Sequence, residues 1–201
     1  MAAKSTGTVD QPTAREKLLA AANELFYQEG VHTVGIDRVI ERAGVAKATL
    51  YSTYGSKDEL IRAYLEGRYR SRKERTTRLV AERSAPRERL LAVFDALEES
   101  LASPGYRGCA FANASAEAKR GGPIQEVTDE IRGWLRGLLA DLARAAGAAE
   151  PERLAAQLHM LYDGASASAR MDRNLGAAAV ARQAAETLID VELARADPEG
   201  R

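Results

Sequence analysis

The sequence predicts an all-helical protein, and three observations carry that prediction. Apolar residues recur at three- and four-residue steps through most of the chain, the spacing of buried helix faces. Runs that alternate apolar with polar residues between turn signals, the mark of half-buried strands, do not occur. Alanine, the best helix former, is abundant, while aromatic residues make up only 5% of the 201 residues. A hydrophobic content of 45% beside 29% charged residues is ordinary for a soluble globular protein, with ample material for a core. The length suits one large domain or two small ones.

Residues 1–12 are expected to form a flexible arm. Thr13-Ala-Arg-Glu16 reads as a capping box, so helix 1 should run over 14–29 and stop at Gly30. Leu18, Leu19, Ala22, Leu25 and Phe26 form its apolar stripe. In helix 2, Ile36, Val39, Ile40 and Ala43 fall at i, i+3, i+4 and i+7. Gly44 ends it, because glycine enters the left-handed conformation without steric cost. A third helix should start near Ala46 or Lys47 and run to about Tyr54. Two short helices joined by a glycine-containing turn of three to four residues are the helix-turn-helix signature.

On a wheel at roughly 100° per residue, Leu50 and Tyr54 of helix 3 share a core-facing arc. Ala48, Thr49 and Ser52 cover the opposite arc; they are small and suited to approach base edges in a major groove. Lys47 and Tyr51 flank the core arc, where a cation and a phenol can grip phosphates. Lys57 stands beside Ser56 at the start of the next helix, placed to share a phosphate with free backbone N–H groups. No Asp or Glu occurs from Gly44 through Ser56, which suits an anionic partner.

Ser56-Lys-Asp-Glu59 is a second capping box and opens a long helix 4, to about Arg83. Its later part is basic, with Arg68, Arg70, Arg72, Lys73, Arg75 and Arg78, and reads as a solvated face in preference to a further DNA contact. Pro86 at a first helical position opens helix 5, about 86–102. Helix 6 is expected from about Gly108 to Lys119, helix 7 over about 123–146, helix 8 over 151–171 and helix 9 over 176–194. Small residues from Gly164 to Ala169 let another helix approach closely. Asp197 to Arg201 should fray. The resulting division is an arm (1–12), a helix-turn-helix domain (13–57), a linking helix (58–83) and a C-terminal domain (84–201).

Net charge is zero, but residues 1–83 hold 15 Lys/Arg against 11 Asp/Glu and residues 84–201 hold 14 against 18. A basic first part suits a nucleic-acid partner. One cysteine, Cys109, excludes an intramolecular disulfide and points to a reducing compartment. The N-terminus lacks a signal-peptide core and no apolar run is long enough to span a membrane, so a cytoplasmic protein is expected. No phosphate-binding loop, dinucleotide fingerprint, zinc-ligand spacing or nucleophile elbow is found, so no catalytic residue, cofactor or metal is expected. Cys109 and His159 could make a nucleophile–base pair in principle, and a buried structural cysteine is the preferred reading.

The first quarter of the chain resembles the tetracycline-repressor (TetR-like) family of bacterial transcription regulators. The resemblance lies in Phe26–Gly30, Thr33, Ile36, Ala43-Gly44-Val45, Thr49-Leu50-Tyr51, Tyr54 and Ser56-Lys57-Asp58-Glu59-Leu60, in order and at the family's spacing. Two residues depart from it: Ala46 stands where the family has a capping Ser, and Tyr54 where Phe is usual. The resemblance implies a three-helix DNA-binding head, a phosphate contact by Thr33, and a C-terminal helical bundle for ligand binding and dimerisation. It implies a homodimer through the helices near 151–171 and 176–194, and a ligand signal passed through helix 4. The expected function is a ligand-responsive repressor on a near-palindromic double-stranded operator, with an unidentified small-molecule effector. Candidate liners of the effector pocket are Phe94, Leu97, Phe111, Asn113, Trp134, Met160 and Tyr162. The alternative is a helical interaction adaptor that has lost DNA binding.

Overall fold

The computed structural model describes residues 11–118 and 121–196. The arm over 1–10, the expected fraying from Asp197 to Arg201 and the Lys119 end of helix 6 lie outside them. Among the described residues the chain is helical and has no strand: α1 (Ala14–Glu29), α2 (Ile36–Ala43), α3 (Lys47–Tyr54), α4 (Lys57–Ala81), α5 (Pro86–Leu101), α6 (Ala110–Glu117), α7 (Pro123–Ala145), α8 (Pro151–Met171) and α9 (Ala177–Ala196). Two compact units divide it, residues 1–64 and 65–201. The division falls inside α4, which begins in the first unit and continues into the second.

In the first unit, α1 starts at a capping box: the Glu16 N–H donates to Thr13 Oγ1 at 3.3 Å, and the Thr13 N–H to a Glu16 carboxylate oxygen at 2.8 Å. Leu18, Ala21, Ala22, Leu25 and Phe26 turn inward from α1. The Phe26 ring meets Tyr64 edge-on, with centroids 5.8 Å apart. Arg38 of α2 forks onto Glu29 at 2.5 and 3.0 Å, and Arg42 reaches Glu24 at 2.7 Å, so two surface ion pairs tie α2 to α1. Such pairs fix geometry more than they add stability.

In the second unit, α5, α7, α8 and α9 surround a core that includes Leu90, Val93, Phe94, Leu97, Leu139, Leu158 and Ile189. Proline occupies the first turn of α5, α7 and α8, where its missing N–H costs no helical hydrogen bond. The inward stripe of α9 is Ala177, Ala178, Ala181, Ala185 and Ile189. Its valines face outward, Val180 at 65% exposure and Val191 at 48%. Alanine on the inner stripe allows close approach of helices, which leaves the larger side chains outside.

Glu192 on α9 is shielded although it lies close to the surface, because arginine side chains cover it. Its carboxylate accepts from the Glu150 N–H at 2.8 Å and from Arg153 at 2.9 Å, and Arg195 approaches to 3.4 Å. Burial raises its proton affinity, but the Arg153 and Glu150 hydrogen bonds and the two cations outweigh that, leaving the carboxyl below its ordinary value of 4.5. A carboxylate with a depressed folded pKa stabilises the fold above the unfolded pKa and loses that contribution as pH falls through the folded value. We therefore predict that Glu192→Gln lowers unfolding free energy at neutral pH by about 1–2 kcal/mol. The difference should shrink as pH drops below 4.5. Urea unfolding at a series of pH values checks this; a pH-independent difference would refute the ionic origin.

Candidate nucleic-acid interface and effector cavity

The turn between α2 and α3 rests on Gly44, at φ 66° and ψ 39°, whose N–H donates back to the carbonyls of Ile40 and Glu41. A Cβ is rarely tolerated in that conformation. Leu50 is fully buried and Tyr54 nearly so, which fixes the rotation of α3 about its axis. Lys47, Ala48, Tyr51 and Ser52 are consequently exposed, with Thr49 half-buried. The Ser52 hydroxyl donates to the Thr49 carbonyl at 3.1 Å, so its oxygen remains on the outer face. Thr33 is exposed and lies two residues before Gly35, the N-cap of α2, so it does not itself cap that helix.

Both departures from the family pattern have structural outcomes. Ala46 takes the N-cap of α3 with extended backbone (φ −73°, ψ 151°) and no side-chain hydrogen bond, so the cap acceptor is lost. The Tyr54 hydroxyl instead finds a partner: it donates to the Arg15 carbonyl at 3.1 Å, and the Arg15 guanidinium lies 4.9 Å from its ring centroid. Burial pushes the phenol's pKa up, partly opposed by the Arg15 charge.

A feature invisible in the local sequence involves Lys47. Its ammonium donates to Asp37 of α2 at 2.9 Å, and that hydrogen bond together with the Asp37 charge holds its pKa above the ordinary value. The acid-free arc of α3 therefore has a carboxylate at its edge, supplied by the preceding helix. Lys57 is half-buried and its ammonium donates to the His32 carbonyl at 3.5 Å, which places it beside the turn that carries Thr33.

The second unit holds a cavity of about 570 Å³ between α4, α6, α7 and α8. Of the candidate liners, Phe111 and Asn113 face it. Phe94, Leu97 and Tyr162 lie in the packed core instead, and half-buried Trp134 stacks obliquely on Tyr69 with centroids 5.9 Å apart. Met160 is 74% exposed on the outer face of α8. Large apolar residues fill space against each other, whereas the walls of this cavity mix apolar side chains with polar ones from α7 and α8. Arg132 pairs with Asp163 at 2.8 Å, and Ser115 and Thr128 share a hydrogen bond at 3.1 Å.

Cys109 and His159 line the same cavity, but no hydrogen bond joins them among the described residues. Cys109 Sγ accepts from Arg72 at 3.3 Å, and His159 Nε2 is 3.8 Å from Asp163. Burial lowers the His159 pKa; Asp163 opposes this, and Arg132, Arg136 and Arg72 add to it. The thiol and imidazole are thus engaged elsewhere and do not form a nucleophile–base pair.

Arg72 corrects the reading of the basic run in α4 as a solvated face. Leu65, Arg72 and Leu79 stand seven residues apart, and both leucines are buried, so Arg72 occupies the inward stripe. Its guanidinium lies 4.9 Å from the Phe111 ring centroid and 5.8 Å from that of Tyr162. Burial works against its charge, but the surrounding phenols and thiol more than offset this and raise its pKa. Its side chain is half-buried and lines the cavity.

Two short helices around a left-handed glycine, the second displaying small residues outward, place this chain among helix-turn-helix proteins. Residues 18–64 match the model of bacterial regulatory proteins of the tetR family, and residues 86–185 match the tetracyclin repressor-like C-terminal domain. The chain belongs to the TetR family of transcriptional regulators. SCO4454, a TetR-family regulator from Streptomyces coelicolor, superposes with a TM-score of 0.79 at 32% identity, over 91% of this chain and 95% of that one. The transcriptional repressor NemR of Escherichia coli is 27% identical over 176 residues, 80% of this chain and 85% of NemR. The transcriptional activator FasR of Mycolicibacterium smegmatis is 35% identical over 95 residues, 46% of this chain and 43% of FasR. Among the described residues no helix is long and apolar enough to cross a membrane, and no group of three or more His, Cys, Asp or Glu side chains could hold a metal.

Proposed function

We propose that this protein is a ligand-responsive repressor that binds a near-palindromic operator as a homodimer. The observation that carries the reading is the outer face of α3, with Ala48 and Ser52 exposed, Thr49 half-buried between them, and Lys47 and Tyr51 at its flanks. In this proposal α3 enters a major groove. Ala48, Thr49 and Ser52 read base edges, while Thr33, Lys47, Tyr51 and Lys57 grip phosphates. Lys47 exchanges Asp37 for a phosphate oxygen on binding. Two copies reach half-sites about 34–36 Å apart, or a multiple of that.

Exposed apolar stripes support the dimer. Met160, Gly164, Ala167 and Met171 follow one outer face of α8, and Val180, Thr187 and Val191 one of α9. Exposed methionine and valine at helical spacing on a soluble chain mark a surface suited to association. The effector acts from the C-terminal unit, with α4 as the element that carries its signal. It shifts the balance only by the difference between its affinities for the DNA-competent and incompetent forms.

Selection of bound fragments from random DNA, followed by salt-titrated gel shifts and sedimentation, tests this reading. No selected sequence, or a monomer at micromolar concentration, would overturn it. Two variants separate the roles. Lys57→Ala is expected to weaken binding to all sequences alike and to flatten the salt dependence by about one unit; an unchanged slope removes Lys57 from the phosphate contacts. Ser52→Ala is expected to shift operator preference at one base position of each half-site, and an identical selected profile excludes it as a reader.

A further inference from the structure

We propose that the cavity of the 65–201 unit receives an amphipathic organic anion, a carboxylate on an apolar or aromatic body, with the acidic group held by Arg72. The inference rests on the ligand-responsive reading for its consequence at DNA, while the binding itself stands separately.

Several arginines of this unit already meet carboxylates. Arg87 meets Glu88, Glu186 and Asp190; Arg182 meets Asp95; Arg153 meets Glu192; Arg132 meets Asp163. These side chains keep 31–43% exposure, yet each has a carboxylate. Half-buried Arg72 has none among the described residues: its one hydrogen bond runs to the Cys109 thiol, and its faces meet Phe111 and Tyr162. A guanidinium has donors for a bidentate carboxylate. A thiol is a weak acceptor, so the guanidinium keeps unused capacity for a strong, charge-assisted one.

The cavity wall has the charge balance such a ligand needs. Arg72, Arg132 and Arg170 line it against one aspartate, Asp163, which is committed to Arg132. Arg170 donates to the Arg107 carbonyl and has no carboxylate partner among the described residues. Next to Arg72, Cys109 is the N-cap of α6 and makes no side-chain bond to that helix, whose first turn, Phe111 and Ala112 included, lines the cavity. The first N–H groups of a helix favour negative charge. Buried Ile131 and Leu135 give the cavity an apolar wall for the rest of the molecule. A volume near 570 Å³ takes a ligand of one or two rings or a medium chain. With Arg132 committed to Asp163, the free guanidinium capacity suits a single acidic group better than a polyphosphate.

Calorimetry on the full chain tests the proposal with matched pairs: benzoate, 1-naphthoate and octanoate, each against its uncharged amide of the same shape. The acid of the tightest pair should bind at least about tenfold more strongly than its amide. Arg72→Met should bring that ratio close to one, and Arg72→Lys, which keeps the charge but not the fork, should retain part of it. Thermal melts establish whether the variants fold, and the wild-type ratio stands without them. Equal binding of acid and amide by the wild-type chain, no binding of any acid at millimolar concentration, or a full preference in folded Arg72→Met would each overturn the proposal. Gel shifts with selected DNA in the presence of the bound acid form a separate arm: unchanged DNA binding would overturn the ligand-responsive reading and leave the anion site standing.

Discussion

Phe94→Ala is expected to lower the unfolding free energy of the C-terminal unit by about 3–5 kcal/mol. Phe94 is 1% exposed and belongs to the cluster shared by α5, α7, α8 and α9. Its ring lies 6.4 Å from that of Tyr162, inclined at 58°. Truncation removes the apolar contact and leaves a cavity that close-packed neighbours fill only in part. The effect should reach the cavity between α4, α6, α7 and α8, because Tyr162 also faces the Arg72 guanidinium, with ring centroid and charge 5.8 Å apart. Urea unfolding followed by helical circular dichroism gives the number. A loss below about 1 kcal/mol would mean that the core repacks around the gap, and that Phe94 is not the anchor its burial implies.

The elements most legible in the sequence are those whose ends are fixed by local chemistry. The capping box at Thr13 and Glu16, the glycine at 44 and the prolines at 86, 123 and 151 act within a turn of the backbone, so the sequence carries their whole mechanism. The start of α6 was less accessible. The small apolar run suggests a helix from Gly108, but Gly108 adopts φ 94° and the helix begins at Ala110. That backbone lets the Arg170 side chain approach: a Cβ at Gly108 would lie 2.6 Å from Arg170 Cδ. The constraint comes from a residue on α8, far along the chain, and no local pattern reports it.

Charge was legible as a total but not as a set of partners. The basic run of α4 reads as solvated because arginine is usually at the surface; Arg70, Lys73 and Arg78 conform to that, whereas Arg68, Arg72 and Arg75 are half-buried. Arg72 is distinguished by the leucines seven residues on either side, a periodic signal that outweighs residue type when the stripe must face inward. Lys47 shows the same limit from the opposite direction. Its helix contains no acid, yet Asp37 reaches it across the turn, because α2 and α3 meet at an angle that local composition does not encode. Phe94, Leu97 and Tyr162, candidate pocket residues, lie in the core for a related reason: large apolar groups close space, and the lining of a cavity is set by where they leave it open.

Leu50→Ala should separate recognition from the rest of the fold, with an expected loss of about 2–5 kcal/mol in the N-terminal unit. Leu50 is fully buried and is, with Tyr54, the anchor that sets which side of α3 faces outward. A helix of eight residues without a side-chain cap has little stability of its own, so its position depends on that anchor. Ala48, Thr49 and Ser52 would then lose their common orientation, and the entropic cost of restoring it would fall on each DNA-binding event. We predict loss of selected-sequence preference first, with residual salt-sensitive binding through the basic residues, and loss of amide-exchange protection across α1 to α3. Protection within α5, α7, α8 and α9 should stay near wild type, and so should any binding of a carboxylate in the second unit's cavity. Full operator preference in a variant whose α3 amides exchange freely would show that recognition does not depend on a preformed α3, and the groove-reading role assigned to its outer face would fail with it.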